Sequence, residues 1–416
     1  MSVARPAAPT SRAAAATLLV LLSTLTAVGP LSLDMYLPAF PAMARELKAT
    51  PSEIQLSLTA CLFGLALGQL LGGPLSDRWG RRRPVLVGAA LYAVCSLLCA
   101  FAPTSTVLAV LRLAQGLCGG VGVVVARAIV RDLHSGVAAA KYFSRLTLVF
   151  GLAPVAAPGL GSLVLRVGSW RAVFVALAAI GVTLLAVVAW RLPETLPPQR
   201  RTAGGLTSVA RAVRALLADR IYLGYALTQG FTFAGLFAYI SGSSFVFQEV
   251  FGLSGGWYSA LFALNATGVI VLGQVNARLL DRFSPRRLLF VALGTGLVTA
   301  TGLLVAALGR SLPGVAVTLF LFVAGVGMAL PNGLALALDR HPQHAGTAAA
   351  VLGAIQSSVA ATAVPLVGLG PSDSASGMAL VVLGTVTLAA GAAVSLTRTG
   401  RRPARPASPT SAPAPR

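Results

Sequence analysis

Asp34 is the only one of the chain's 11 acidic residues that falls well inside a long apolar run, the one near residues 15–40. A charged side chain at the centre of a span costs about 2.5–3.5 kcal/mol, so ionisable groups in such places mark function by default. The chemistry open to a single carboxyl there is to take up and release a proton. Arg112 is its natural counter-charge, inside the run near 105–129. At ~1.5 Å of rise per residue, both lie on the order of 10 Å from the same end of their runs, so they share a layer without needing to touch. A carboxyl and a fixed cation at one depth form a pair whose proton occupancy responds to small movements. Pro30 and Pro38 flank Asp34 and free backbone groups, which lets a helix bend around a cavity.

Other chemistries find little support. A membrane enzyme would need a nucleophile with its base, a metal cluster or paired intramembrane carboxylates, and none is present. No phosphate-cradling GxxxxGK[ST] stretch occurs, so ATP is not the energy source. His341 and His344 share one loop without carboxylate or thiolate company, a poor metal site, and no metal is expected. Cys61, Cys95, Cys99 and Cys118 all fall inside apolar runs, where they read as small packing residues rather than disulfide partners.

The elements that must position these residues follow from composition. With 56% hydrophobic residues, only 10% charged and a mean hydropathy of +0.82, the chain is a polytopic membrane protein. Each span needs about 20 apolar residues, and helices satisfy their own backbone in lipid. Breaks at charges, Pro and Gly place spans near 15–40, 53–76, 84–102, 105–129, 141–165 and 171–192, then 221–246, 255–279, 286–309, 313–338, 345–367 and 376–397. The expected fold is all-α: twelve transmembrane helices in two pseudo-symmetric six-helix bundles, 15–192 and 221–397. A polar loop at 193–219 joins them, and residues 1–14 and 398–416, rich in Ala, Pro, Ser and Arg, read as disordered tails.

If the amino terminus lies inside, 26 of the 32 Lys and Arg fall in or beside inner loops and tails, five fall outside, and Arg112 lies within a span. That is the positive-inside pattern, with both termini and the central loop cytoplasmic. The net charge of +21 then reads as orientation and contact with anionic lipid, and nucleic-acid binding is not expected. Thirty Arg against two Lys, with abundant Ala and Gly, points to a GC-rich bacterial source and so to a bacterial inner membrane.

Charge is also concentrated in GGPLSDRWGRRRP, Gly72 to Pro84, between the second and third spans. Its DRWGRRRP recurs as DRFSPRRL at Asp281, 204 residues on, with Ala277 where Gly73 stands and Ser284 where Gly80 stands. One signal at half-chain spacing implies a duplicated six-helix unit with a site between the halves. In the first copy Gly73 would let another helix approach closely. Asp77, at the inner end of its span, could accept hydrogen bonds from the free amides of a neighbouring helix amino terminus.

GGPLSDRWGRRRP resembles motif A of the major facilitator superfamily, and the twelve spans, central loop and repeat agree with that family over nearly the whole chain. LDMYLPAFPAMA from Leu33, RLAQGLCGGVGVVVARAIVRDL from Arg112 and GLAPVAAPGLGS from Gly151 narrow the resemblance to its drug:proton antiporters, in the bicyclomycin-resistance and chloramphenicol-efflux branch. The resemblance implies proton coupling by Asp34 and Arg112, and a cytoplasmic latch made by Gly73, Asp77, Arg78, Gly80, Arg81 and Arg82, in which Asp77 meets the eleventh span near Ala345. It also implies a leak-limiting contact between the fifth and eighth spans through Gly151, Pro154, Pro158, Gly159 and Gly161. Here the motif departs from its usual Gly-Pro-x-x-Gly-Gly form, reading Ala157-Pro158-Gly159-Leu160-Gly161.

Polar and aromatic residues near mid-span are the candidates for a substrate cavity: Tyr36, Gln115, Gln229, Phe233, Tyr239, Asn265, Asn332 and Gln356. A cavity of that lining accepts amphipathic molecules with modest selectivity. The expected activity is proton-coupled export of small drug-like or antibiotic compounds by alternating access, by a monomer that needs the proton gradient and no cofactor. An exporter or importer of a small metabolite on the same fold is the alternative, since Asp34 does not decide direction.

Overall fold

The computed structural model describes residues 12–134, 136–201, 213–341, 345–369 and 374–397. Twelve long helices carry the fold: α1 Arg12–Asp34, α2 Pro51–Trp79, α3 Arg82–Ala100, α4 Ser105–Leu133, α5 Gly136–Val167 and α6 Trp170–Arg191, then α7 Arg220–Phe245, α8 Gly255–Leu279, α9 Pro285–Leu308, α10 Leu312–Leu338, α11 Ala345–Val367 and α12 Ser376–Leu396. Among the described residues ten spans are long and apolar enough to cross a bilayer, and α5 and α11 contribute the apolar stretches Gly151–Val167 and Val351–Val367. No strand occurs among the described residues.

Sequence sets most of the helix starts through side-chain caps. Thr50 and Glu53 form a reciprocal capping box at α2, and Thr104, Ser169, Asp219, Ser254, Ser284 and Ser311 each accept from an amide in the first turn of the helix that follows. Several boundaries differ from the sequence reading; α4 runs on to Leu133 and α5 begins at Gly136. Helix α1 stops at Asp34 instead of running to residue 40, and a 3-10 turn, Leu37–Ala39, and a short helix, Phe40–Glu46, complete the span. Pro38 is the physical cause, since it has no amide to continue the ladder. Helix α2 runs through most of the charged motif to Trp79. Residues 12–14, read as part of a disordered tail, are helical, whereas 1–11 and 398–416 lie outside the described residues.

The helix pairings of the first half recur in the second. α1 packs on α5 and α4, α2 on α4, and α3 on α6 and α4; six helices later α7 packs on α11 and α10, α8 on α10, and α9 on α12 and α10. The main contacts between halves, α2 with α11 and α5 with α8, are related by the same shift. The tightest seam is α2 against α4: a Cβ on Gly64 or Gly68 would strike the main-chain carbonyls of Leu113 or Leu117, and one on Gly116 would strike that of Cys61. Glycines four apart let two backbones touch.

The apolar cores show how the halves sit. At the end bearing the α1–α2 connection, here the far end, one continuous core takes residues from both halves, such as Phe40, Phe174, Phe245 and Met378. At the near end, which bears the start of α1 and the end of α12, each half keeps its own core, around Tyr92 and Ile129 in one and Tyr222 and Leu289 in the other.

Candidate functional site

Asp34 ends α1 and is buried at 4% exposure. Its side chain makes no hydrogen bond or ion pair among the described residues, and it lies near enough to Arg112, Tyr239 and Tyr258 to interact with them electrostatically. Both tyrosines belong to the second half, so the carboxyl sits where the halves meet.

Arg112 is fully buried on α4 and bears on the segment that carries Asp34. It donates to the main-chain carbonyl of Ser32 at 2.6 Å and to Gln115 Oε1 at 2.5 Å, and its guanidinium lies 4.3 Å from the centre of the Tyr36 ring and 5.6 Å from that of Phe174. Carbonyl dipoles and ring faces thus meet the charge where no carboxylate does. Gln115 donates onward to Ser96 Oγ at 2.6 Å, Ser96 to the carbonyl of Tyr92 at 2.7 Å, and the Tyr92 hydroxyl meets Ser32 Oγ at 2.7 Å. This closed circuit joins α1, α3 and α4. The Arg112 Nε lacks a partner, and that buried donor is the atom still open to a counter-charge.

The cavity candidates divide. Tyr36, bonded to Ser57 at 3.1 Å, and Gln115 lie in the Arg112 cluster, inside the packed first half. Tyr239 accepts from Asn265 at 3.0 Å, Asn332 donates to Asn276 at 2.6 Å, and Gln229 donates to the carbonyl of Leu330 at 2.5 Å, so these join helices within the second half. Asn265 also lines an apolar crevice of about 170 Å3 with Phe247, Leu261 and Phe320. Phe233, which packs on Phe237, and Gln356 are half-buried, and Gln356 makes no side-chain hydrogen bond among the described residues.

Every hydrogen bond and ion pair between the halves, among the described residues, lies toward the far end. Ser244 donates to the carbonyl of Leu37 at 2.6 Å, Gln248 to that of Pro38 at 3.1 Å and Ser52 to that of Pro365 at 3.0 Å, while Arg45 pairs with Glu249 at 3.3 Å. Helix α5 joins in: Ser259 donates to the carbonyl of Pro158 at 3.0 Å, and Ser162 meets Ser259 at 2.7 Å. The motif on α5 is only partly a contact surface. Gly161 lies against the Met35 carbonyl just past α1, Pro154 is half-buried, and Gly151 and Gly159 face open space. The molecule is closed at the far end and parted at the near end.

At the near end Arg81 organises the charged motif. It is 6% exposed, donates to Asp77 at 2.5 Å and Asp132 at 2.8 Å, and its amide donates to Glu194 at 2.8 Å. Burial works against the Arg81 charge, but Asp132 and Asp77 outweigh it and hold the guanidinium protonated. Gly80 is fixed by its positive φ of 89° and by the Glu194 carboxylate, which occupies the place of a Cβ. Arg82 donates to the carbonyl of Ala189 at 2.6 Å, and Arg78 is exposed. The anticipated partner of Asp77, the start of α11, adjoins residues 342–344 outside the described residues; the partner found is Arg81. Gly73, expected to receive a helix, has nothing within 4 Å, and Gly72 is the one that packs, against Val121 and Val124. Gly73 stands open at the end where each half keeps its own apolar core.

Asp132 and Glu194 escaped the sequence reading. Their signal was position: each is the acid nearest the end of its helix on the side where Asp77 lies. His341 meets Asp219 at 3.0 Å beside Arg340 at 3.1 Å, and His344 lies outside the described residues. No metal-ligating cluster occurs among the described residues.

Comparisons with known proteins agree with this geometry. The profile described as Major Facilitator Superfamily matches residues 22–365. A Bacillus subtilis protein described as an uncharacterized MFS-type transporter, YdgK, is 39% identical over 84% of this chain and 88% of its own length. A Haemophilus influenzae bicyclomycin resistance protein homolog is 31% identical over 86% and 90%. Among solved structures, a D-xylose-proton symporter superposes with a TM-score of 0.76 over 92% of this chain and 98% of that one, at 16% identity, a likeness of fold alone.

Proposed function

The chain belongs to the Major Facilitator Superfamily and is a multi-pass membrane transporter of small molecules, and from that premise we propose that it exports drug-like or antibiotic compounds in exchange for protons. The relative named for bicyclomycin resistance supports the substrate class. The near end is cytoplasmic by the positive-inside pattern, in a bacterial inner membrane, with both termini inside, and the working unit is a monomer.

The observation that carries the coupling is the position of Asp34 at the break in α1. Just before the break Arg112 holds the carbonyl of Ser32, and just after it Ser244 and Gln248 hold those of Leu37 and Pro38. A charged Asp34 is drawn toward Arg112 and a neutral one is not, so the proton governs the tension on the segment that the second half grips. In the cycle, substrate enters the parted near end and Asp34 releases its proton there. The near end then closes as Asp77 leaves Arg81 for α11, and the far-end bonds break. A proton from outside returns Asp34 to neutrality and resets the transporter.

The direct test expresses the chain in an efflux-deficient host across a panel of antibiotics and metabolites. Resistance to antibiotics is expected, and Asp34→Asn should erase it. Enhanced uptake of a nutrient, with no resistance, would overturn export in favour of import.

A further inference from the structure

Arg127 stands on α4 about 22 Å beyond Arg112 toward the near end, by the rise of the helix. Its side chain is exposed, and it makes no hydrogen bond, ion pair or ring contact among the described residues. Its neighbours on α4, Val125, Ala126, Ala128, Ile129 and Val130, are all buried, so Arg127 looks out from an otherwise packed turn of the helix into a cleft.

Helical geometry says which cleft. Helix α4 packs on α1, α2, α3 and α5, all of its own half. Gly116 and Gly120 meet the α2 backbone, and Arg127 stands two turns past Gly120 on that flank of the seam, away from α3. Val110, 62% exposed, lies on the other flank, between α2 and α3. Turning from α2 away from α3 leads to the sector between α2 and α1, which opens toward the second half where the halves have parted. The nearby acids are engaged, since Arg81 holds both Asp77 and Asp132.

We propose that Arg127 anchors an anionic group, a carboxylate or a phosphate-like oxyanion, on the molecule entering from the near end. A planar guanidinium with no competing acid is suited to an oxyanion. The transported class is therefore amphipathic acids and zwitterions in preference to simple cations, with the acid group at the mouth and the apolar body toward Phe233. This deepens the proposed export function and rests on its reading of the cleft as the substrate path. An anionic lipid headgroup offers the same chemistry, so the test must separate the two.

Binding of carboxyfluorescein and of ethidium is measured on the full chain in phosphatidylcholine nanodiscs, with and without phosphatidylglycerol. Arg127→Gln should bind carboxyfluorescein about ten- to a hundredfold more weakly, as for loss of one charged hydrogen bond. Arg127→Lys should keep most of the affinity, and ethidium binding should not fall. Thermal unfolding should match wild type, since nothing bonds to this side chain. Equal carboxyfluorescein binding by wild type and Arg127→Gln would overturn the anion site. Loss of wild-type binding on adding phosphatidylglycerol would assign Arg127 to lipid and overturn the substrate role. Proton-driven transport of any compound alongside equal binding would remove the anion site alone, whereas Arg127-dependent binding with no proton-driven transport would remove the antiport reading alone.

Discussion

Ser244 donates a 2.6 Å hydrogen bond to the main-chain carbonyl of Leu37, so the second half grips the first three residues past Asp34. Asp34 is thereby placed on the strand of chain through which the far end is held shut, and its charge state bears on that closure.

Loosening this grip should open the far end. Ser244→Ala combined with Gln248→Leu removes the two hydrogen bonds that cross to Leu37 and Pro38, about 1 kcal/mol each and enough to shift the conformational balance roughly thirtyfold. Spin-label distances across the far end should lengthen in the double variant. An unchanged distance distribution would show that the apolar core around Phe40 and Phe245 closes the far end without them.

Two glycines on α2 should part company. Gly68→Ala drives a methyl into the Leu117 backbone, an overpacking that costs about 1–3 kcal/mol, and should lower the melting temperature in detergent. Gly73→Ala has open space around it and should melt like wild type while slowing transport, because the site is needed only when the near end closes. Equal melting of both variants would contradict the α2–α4 seam.

Asp219 gives a pH signature. Desolvation pushes its carboxyl up, but Arg340 and the amides of Ile221 and Tyr222 outweigh this and hold it below the ordinary value. Stability from this group is therefore present above the unfolded value of about 3.9 and is lost as pH falls through the lower folded value. Asp219→Asn, which retains an oxygen for the α7 cap, should be less stable than wild type from neutral pH down to about 4, with the difference closing below that. A difference that does not change with acid would assign the effect to capping alone.

The helices and the duplicated six-helix unit were legible, because apolar run length is local and the DR motif recurs at half-chain spacing. The end of α1 was half legible: Pro38 signalled a break, but the apolar residues around it disguised its place. That Gly72 is the one packed on α4 while Gly73 stands open was not legible, because which of two adjacent glycines faces α4 depends on the rotation of α2. Asp132 and Glu194 were missed since their partner, Arg81, comes from a turn far away in sequence. Which end stands open is a property of the packed halves, carried by Ser244, Gln248 and Ser259, residues that in sequence are ordinary polar positions in apolar helices.

Proteoliposomes test the role of Asp34 most directly, using the compound identified by the resistance profile. Asp34→Asn should lose transport driven by a pH gradient and keep substrate-for-substrate counterflow, since exchange needs the moving halves and not the proton. Gradient-driven transport at the wild-type rate in Asp34→Asn would contradict the claim that this carboxyl carries the proton.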